Sequence, residues 1–231
     1  AATDAFRRLQ GALDRFVPEP KGHIDAWLGD KPPAELVYAP GREWVRVPWS
    51  EGLAESYRSG VSPFSVMEKF PRSRFGVESL ARRLARIRLG LALGTGAAWG
   101  YSLIGILKAF RREGVPIDLV SGTSMGSVVG GLYALGMSPD EIEEVASQID
   151  MAWVWENLGW DLTIPRSGFF AGTTLLRFLR SYFEEREFHE LEVPFACVAT
   201  DIETGEEVVF REGRVAEAVR ASCGIPLVFQ P

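Results

Sequence analysis

Two apolar runs, each followed by glycine-rich residues and a helical pattern, constrain the fold of this chain more than any other feature of its sequence. Leu89–Leu93 leads into the loop Gly94–Gly100, and Ile117–Val120 leads into Gly-Thr-Ser-Met-Gly at 122–126. Each run has the length of a short buried strand, and the apolar spacing after each loop is that of a helix. Strands joined by a helical crossover usually lie side by side and parallel. The sequence therefore predicts that both loops meet at the carboxyl edge of one sheet.

The second loop has the spacing of a nucleophile elbow. Ser124 follows Gly122 and precedes Gly126 by two residues each, and small residues at these positions relieve the crowding of a sharp strand-to-helix turn. The turn puts Ser124 at the N-terminus of the next helix, where free N–H groups and the helix dipole favour negative charge. The N–H groups of Gly94–Gly100 are unencumbered enough to point at a developing oxyanion. The pattern predicts acyl transfer with Ser124 as the nucleophile.

Several stretches of the chain from residue 93 onward are similar to one family. They read LGTGAAWG, LIGILKAF, EGVPIDLVSGTSMGSVVGGLYALG, VPFACVATDIETGEEVVF and VAEAVRASCGIP. Residues 86–231 resemble the patatin-like phospholipase family, which includes bacterial lysophospholipases and relatives of neuropathy target esterase. The resemblance implies a three-layer α/β/α domain with a mainly parallel sheet. It also implies a lipid acyl hydrolase, a serine-dependent esterase with a Ser–Asp dyad.

The resemblance assigns site residues by position. Ser124 carries over as the nucleophile. The oxyanion loop would comprise Gly94, Thr95, Gly96, Ala97 and Gly100, and the nucleophile elbow would comprise Gly122, Thr123, Met125 and Gly126 around that serine. The expected substrate is a lipid or lysophospholipid, with peripheral membrane contact, and no metal or other cofactor is expected.

The sequence departs from the family pattern in two respects. The first concerns the oxyanion loop and the helix after it: Trp99 stands where the family loop has arginine, and Leu103 stands where the family often has histidine. The second departure concerns the base, which relatives carry in an Asp-Gly-Gly or Asp-Gly-Ala motif some distance after an Arg-Ala-Ser…Ile-Pro stretch. Residues 221–226 match that stretch, but the sequence reaches Pro231 without the motif. We therefore expect the catalytic aspartate to follow Pro231, the domain to be C-terminally incomplete, and residues 1–231 alone to be inactive or nearly so.

Other titratable side chains are weaker candidates for the base. Asp201 lies in a predicted turn between the strands Pro194–Thr200 and Glu206–Phe210, and this position favours a structural role. His189 follows Glu187 and Phe188 in a charged connection that we expect to be exposed, and His23 lies far upstream. No acid between Ser124 and His189 stands out, so a dyad is favoured over a Ser-His-Asp triad.

The chain divides in two on composition and pattern. We expect residues 71–231 to form the patatin-like domain and residues 1–70 to form an upstream α/β segment. In that segment Ala5–Phe16 reads as an amphipathic helix, and Glu35–Tyr38 and Trp44–Val47 read as short strands. The element order that follows faintly resembles the C-terminal part of ParA-type cell-division ATPases. The alternative is a family-specific linker.

Composition excludes some classes of partner. Hydrophobic residues make up 46% of the chain, which is enough for a core, and the net charge of −6 argues against nucleic acid. Only Cys197 and Cys223 occur, without the spacing of a metal site, which favours a reducing compartment. No run approaches the ~18 apolar residues of a membrane span. The expected location is cytoplasmic, or peripheral at the inner membrane of a bacterium.

Two segments leave alternatives open. In Ser79–Ile87, Arg82, Arg83 and Arg86 lie beside an apolar stripe, which either packs on the domain or docks on a membrane. The aromatic-rich residues 151–170 are either core or the lining of an acyl-chain pocket or lid.

Three functions remain in contention. The leading one is the lipid acyl hydrolase. The second is a catalytically weak or regulatory binding module, for which Trp99 in place of arginine is the motive. The third is dinucleotide binding at Gly94–Gly96, but the second strand ends in Ser121-Gly122 rather than in the acid that would bind a ribose.

Overall fold

The computed structural model describes residues 24–28, 43–94, 96, 100–148, 168–170, 173–224 and 227–229. The chain falls into two compact units, Ala1–Arg88 and Leu89–Pro231. The predicted helix Ala5–Phe16 and strand Glu35–Tyr38 lie outside the described residues.

The first unit pairs two strands and follows them with helices. Strands β1 (Ile24–Leu28) and β2 (Glu43–Val47) are parallel, and helices α1 (Glu51–Arg58), α2 (Pro63–Val66) and α3 (Pro71–Leu84) follow. The predicted strand Trp44–Val47 is confirmed. Helix α3 packs on β2 so closely that a Cβ on Gly76 would lie 2.9 Å from the carbonyl oxygen of Arg46. Helix α3 therefore belongs to the first unit.

The second unit is built on a mostly parallel sheet. Its described elements are β3 (Gly90–Gly94), α4 (Tyr101–Arg112), β4 (Leu119–Thr123), α5 (Met125–Ala134), α6 (Pro139–Ser147), β5 (Gly168–Phe170), α7 (Thr173–Phe183), β6 (Phe195–Thr200), β7 (Glu207–Phe210), α8 (Val215–Ser222) and β8 (Leu227–Phe229). The strand order is β3-β4-β6-β7, with β7 antiparallel to β6 and the other neighbours parallel, while β5 and β8 form a separate parallel pair. The predicted α/β fold with a mainly parallel sheet is confirmed.

Helix α5 is the buried centre of this unit. Nearly all its residues are buried, because it packs on β3, β4 and β6. Glycines permit the close approach. A Cβ on Gly130 would lie 2.9 Å from Val120 Cγ1, and a Cβ on Gly131 would lie 2.9 Å from Phe183 Cζ. The helix thus lies nearer the sheet than one with side chains at these positions could.

Helix α4 has apolar residues on both its buried and its exposed side. Leu103, Ile104 and Leu107 are buried, whereas Ile106 is 42% exposed. Both Ile104 and Ile106 continue a three- and four-residue apolar spacing, so the pattern alone does not choose between them. The choice follows from the packing of α4 against α5 and α6.

A helix cap and a hairpin of this unit depend on residues close in sequence. Ser138 caps α6 in a capping box: its hydroxyl accepts from Glu141 N at 3.3 Å, and Ser138 N donates to Glu141 Oε2 at 2.7 Å. Strands β6 and β7 form the expected hairpin, with Thr200 paired with Glu207 across the turn that holds Asp201. The hairpin was predicted from the sequence because its strands and turn are consecutive in the chain.

Two glycine-to-alanine substitutions should have opposite effects on stability. A Cβ on Gly126 would lie 1.9 Å from the carbonyl oxygen of Leu93, which is backbone and cannot move aside, while a Cβ on Gly105 in α4 would meet nothing within 4 Å. We expect Gly126→Ala to lower the free energy of unfolding by about 2–3 kcal/mol. Gly105→Ala should raise it by about 0.5–1 kcal/mol, because alanine favours a helix more than glycine does. Urea denaturation of the two variants checks both signs; a harmless Gly126→Ala would contradict the close approach of α5 to β3.

Candidate active site

A single residue turns the chain from strand β4 into helix α5. Strand β4 ends at Thr123 and α5 begins at Met125, so Ser124 alone makes the turn. Its backbone has φ 54° and ψ −127°, a conformation that side-chain-bearing residues rarely adopt. Such a conformation costs about 1–3 kcal/mol and persists only where the surroundings enforce it. The structure therefore places Ser124 at a strained elbow of the kind that presents a nucleophile.

The glycines on either side are required by crowding. A Cβ on Gly122 would lie 2.3 Å from the carbonyl oxygen of Gly126, and the space around Gly126 is filled by the backbone of Leu93. No larger residue fits at either position without displacing main chain. The two glycines therefore let the elbow close against the ends of β3 and β4.

The first loop lies beside the serine. Gly94, the last residue of β3, pairs with Thr123 in the parallel ladder, so the two strands end level with each other. A Cβ built on Gly96 would lie 3.8 Å from Ser124 Oγ, and a Cβ on Gly100 would lie 1.9 Å from Met125 Cγ. The predicted meeting of the two loops is thus present at the described residues of the first loop. Thr95, Ala97 and Trp99 lie outside the described residues.

Two other serines hold the backbone of Ser124. Ser124 N donates to Ser222 Oγ at 2.8 Å, and Ser222 Oγ donates to the carbonyl of Val198 at 2.6 Å. The carbonyl of Ser124 accepts from Ser127 N at 2.8 Å and from Ser127 Oγ at 2.6 Å. Sequence reasoning missed both residues. Ser222 lies 98 positions from Ser124, and its only signal was its place in the family-like stretch at 221–226.

Asp118 lies at the opposite end of β4 from the elbow. It is buried, its carboxylate accepts from Leu89 N at 3.1 Å, and its own N–H donates to Leu89 O at 2.9 Å. These bonds join the amino ends of β3 and β4. Asp118 therefore acts in strand registration, a full strand length from Ser124.

His189 is also at the wrong edge of the sheet for a triad. It lies in a 3₁₀ turn, Phe188–Glu190, that precedes β6, and the elbow follows the carboxyl end of β4. Its Nδ1 lies 3.3 Å from Glu187 Oε2, and its side chain is 16% exposed, so the expectation of an exposed histidine was wrong. The aromatic Phe188 beside it is buried and stacks on Phe195, which draws the turn inward. His23 lies outside the described residues.

Helix α3 carries Arg82 and Arg83 of the predicted basic segment, and both side chains pack within the first unit. Leu80 is buried, and the guanidinium of Arg82 lies 5.6 Å from the ring centroid of Phe75. Burial, and then the charge of Arg88, lowers the pKa of Arg83. These contacts explain the arginines by packing within the unit, and docking on a membrane stays a prediction.

Several other expectations meet the structure as follows. Within the described ranges, no group of three or more His, Cys, Asp or Glu side chains is arranged to hold a metal ion. The helices of the described part include none with the length and apolarity to cross a membrane. The aromatic residues 151–167 lie outside the described residues, so the choice between core and acyl-chain pocket stays a prediction.

The two cysteines near the elbow are protonated thiols. Cys197 pairs with Gly122 in the sheet, is fully buried, and donates to the carbonyl of Ala218 at 3.3 Å. Burial raises the pKa of Cys197 to about 11 and that of Cys223 to about 12. Neither forms a disulfide. Because the thiolate is the reactive form of cysteine, these residues do not compete with Ser124 as nucleophiles.

Cys197 should therefore resist a thiol reagent in the folded protein. With its pKa near 11, only about one thiol in a thousand is ionised at pH 8. We expect the reagent 5,5′-dithiobis(2-nitrobenzoate) to modify Cys197 at least a hundredfold more slowly in buffer than in guanidinium chloride. The free energy of unfolding should fall as pH rises from the ordinary thiol pKa towards 11, because the unfolded thiol ionises first. Rapid labelling of Cys197 in native buffer, located by peptide mapping, would contradict its burial.

The sequence profile of the patatin-like phospholipase family matches residues 91–231. A patatin-like phospholipase domain-containing protein of Caenorhabditis elegans is 34% identical over 227 residues, which cover 89% of this chain and 16% of that protein. Patatin-like phospholipase domain-containing protein 6 of Homo sapiens is 37% identical over 173 residues, which cover 72% of this chain and 12% of that protein. This chain thus spans less than a fifth of either relative.

Two further similar proteins are of different kinds. An uncharacterized NTE family protein of Mycobacterium tuberculosis is 36% identical over 144 residues, which cover 62% of this chain and 39% of that protein. Among solved structures, the type III effector protein ExoU aligns with a TM-score of 0.40 and 14% identity, over 59% of this chain and 40% of that one. The extent of the profile match and the identity to these relatives establish that the chain belongs to the patatin-like phospholipase family.

Proposed function

We propose that the protein is a serine-dependent hydrolase of lipid acyl esters, with Ser124 as the nucleophile. Membership of the patatin-like phospholipase family supports hydrolysis of lipids. The observation that carries the role of Ser124 is its place at a strained one-residue elbow, with Gly96 of the first loop beside its hydroxyl. A lipid substrate implies work at a membrane surface, so we include peripheral membrane contact in the proposal.

The proposed reaction has two steps. Ser124 Oγ attacks the ester carbonyl and forms a tetrahedral intermediate, while its proton passes to a general base. The N–H groups of Gly96 and, from the family pattern, Ala97 bind the oxyanion, and the alcohol product leaves with a proton. Water then attacks the acyl-enzyme and gives a proton to the base, the bond from the acyl carbon to Ser124 Oγ breaks, and the fatty acid leaves as Ser124 Oγ takes up the proton from the base. The half-buried position of Ser124 and the exposed Gly96 leave the reacting atoms accessible from solvent.

We assign the base to an aspartate of an Asp-Gly motif, as in the family pattern, and not to Asp201. This assignment is supported by the family pattern and by the backbone hydrogen bonds that the Asp201 carboxylate already accepts. Asp201 Oδ1 accepts from Glu203 N and Thr204 N, both at 2.9 Å. These backbone donors hold the pKa of Asp201 below its ordinary value, which makes it a weak base.

Position also argues against Asp201. Thr123 pairs with Val198, so Asp201 lies three residues, about 10 Å, further along the strand direction than the partner of the elbow. Its side chain is turned into its own hairpin turn by the two backbone bonds. We therefore give Asp201 a structural role in joining β6 to β7.

Removal of the Ser124 hydroxyl should abolish turnover. In the full-length protein we expect Ser124→Ala to lower kcat for p-nitrophenyl esters and for a lysophospholipid by about 10³-fold or more. Ser147→Ala is the matched control, because Ser147 is an exposed helix residue whose hydroxyl donates to the carbonyl of Glu144. Absence of turnover by the folded wild-type protein would contradict the hydrolase and favour a regulatory binding module.

An isosteric change at Asp201 separates a base from a turn residue. Asn accepts the same two backbone hydrogen bonds through Oδ1 but cannot take up a proton from serine. We expect Asp201→Asn to keep kcat/KM within about twofold of wild type, and Asp201→Ala to lower the free energy of unfolding, because it removes the acceptor of both backbone hydrogen bonds. Steady-state kinetics and urea denaturation measure the two effects. A loss of activity in Asp201→Asn as large as that in Ser124→Ala would make Asp201 the base.

A further inference from the structure

The hydrogen-bond ladder between β4 and β6 has a regular pattern up to the elbow. Val120 pairs with Phe195, and Val120 N donates to the carbonyl of Pro194 at 2.9 Å. In a parallel ladder the N–H groups that point to one neighbour recur at every second residue. The next two donors from β4 are therefore Gly122 and Ser124. The acceptor facing Ser124 N in this register is the carbonyl of Val198.

At the last rung, a side chain takes the place of the direct bond. Ser124 N donates to Ser222 Oγ at 2.8 Å, and the same hydroxyl donates to Val198 O at 2.6 Å. The hydroxyl of Ser222 thus accepts from one strand and donates to the other, and it separates them by its own width. A direct bond would keep the backbone of Ser124 in line with strand β4. With the hydroxyl inserted, the backbone leaves the strand direction at Ser124, whose φ is 54°.

Helix α8 is placed to hold that hydroxyl in position. Ser222 is the last residue of α8, and one turn earlier the carbonyl of Ala218 accepts the thiol hydrogen of Cys197 on β6. Consecutive residues of β6, Cys197 and Val198, therefore bond to consecutive turns of the helix. Val215, Ala216, Ala218 and Val219 are buried, so the helix is also fixed by packing.

We propose that Ser222 is a positioning residue of the hydrolase, whose hydroxyl forms the last rung between β4 and β6 and so sets the place of Ser124 Oγ beside the first loop. This inference rests on the proposed function for its effect on catalysis. Without the hydroxyl, Ser124 N either bonds directly to Val198 O or is left to water. In either case the elbow moves relative to Gly96, and a displacement of this kind slows reaction at the serine without altering how substrate is held elsewhere.

The test compares three variants of the full-length protein. Ser222→Ala removes the hydroxyl, Ser222→Thr keeps it, and Ser147→Ala is the matched control, since Ser147 is also the last residue of its helix and its hydroxyl donates to a backbone carbonyl at 2.7 Å. The probe is a fluorophosphonate, which bonds covalently to an activated serine. We expect Ser222→Ala to label about 10- to 100-fold more slowly than wild type. Ser222→Thr and Ser147→Ala should label within about threefold of the wild-type rate.

Two further readouts separate positioning from general stability. In Ser222→Ala, kcat for a p-nitrophenyl ester should fall while KM stays within about twofold. Hydrogen exchange of a peptide spanning residues 120–126 should speed up in Ser222→Ala and remain as in wild type in the other two variants. Wild-type labelling rate in Ser222→Ala would overturn the proposal. So would slow labelling in Ser222→Thr combined with a fall in melting temperature equal to that in Ser222→Ala.

Failure of the proposed function gives a different result. If the folded wild-type protein neither labels nor turns over, Ser124 is not an activated nucleophile, and the hydrolase is wrong. Hydrogen exchange still decides the structural claim in that case, because protection of the elbow amide does not depend on catalysis. Unchanged exchange at residues 120–126 in Ser222→Ala would then overturn the role of Ser222 as well.

Discussion

The approach of helix α5 to the ends of β3 and β4 is the constraint on which the rest of the site depends. The backbone of Gly126 lies against the carbonyl of Leu93, and the backbone of Gly122 lies against that of Gly126. With no space for side chains, the chain must change from strand to helix in one residue. That residue is Ser124, and its hydroxyl is consequently brought to the same sheet edge as Gly96. The chemistry proposed for this protein is therefore a consequence of close backbone packing.

Strain at one residue has to be matched by bonds from its neighbours. The conformation of Ser124 costs on the order of 1–3 kcal/mol, and each hydrogen bond contributes about 1 kcal/mol net. Ser222 accepts its N–H, and the backbone and side chain of Ser127 donate to its carbonyl. The cost and the compensation are of the same order. The elbow is stable because residues from α5, α8 and β6 all act on a single peptide segment.

Local sequence signals were sufficient where a feature depends on neighbouring residues. The Ser138 capping box, the β6–β7 hairpin and the strand–loop–helix order around Ser124 follow from spacing alone. The sequence pattern was insufficient where two residues fit the same spacing equally well. Ile104 and Ile106 fit the same helical period, and only packing against neighbouring helices selected the first. The partial burial of His189 was missed because the neighbouring Phe188 is buried and holds the turn against the domain. No periodic pattern in the sequence indicates this.

The sequence by itself determined the parallel α/β order and the position of Ser124 between two glycines, because both follow from short-range spacing, and the resemblance of its motifs indicated the family. Only the tertiary structure decided which distant groups complete the elbow. Ser222 lies 98 residues from Ser124, and no periodicity relates them. Their hydrogen bond exists because β6 lies beside β4 and α8 packs on β6. A contact of that kind is set by how the elements pack together, and it therefore becomes visible only once the chain has folded.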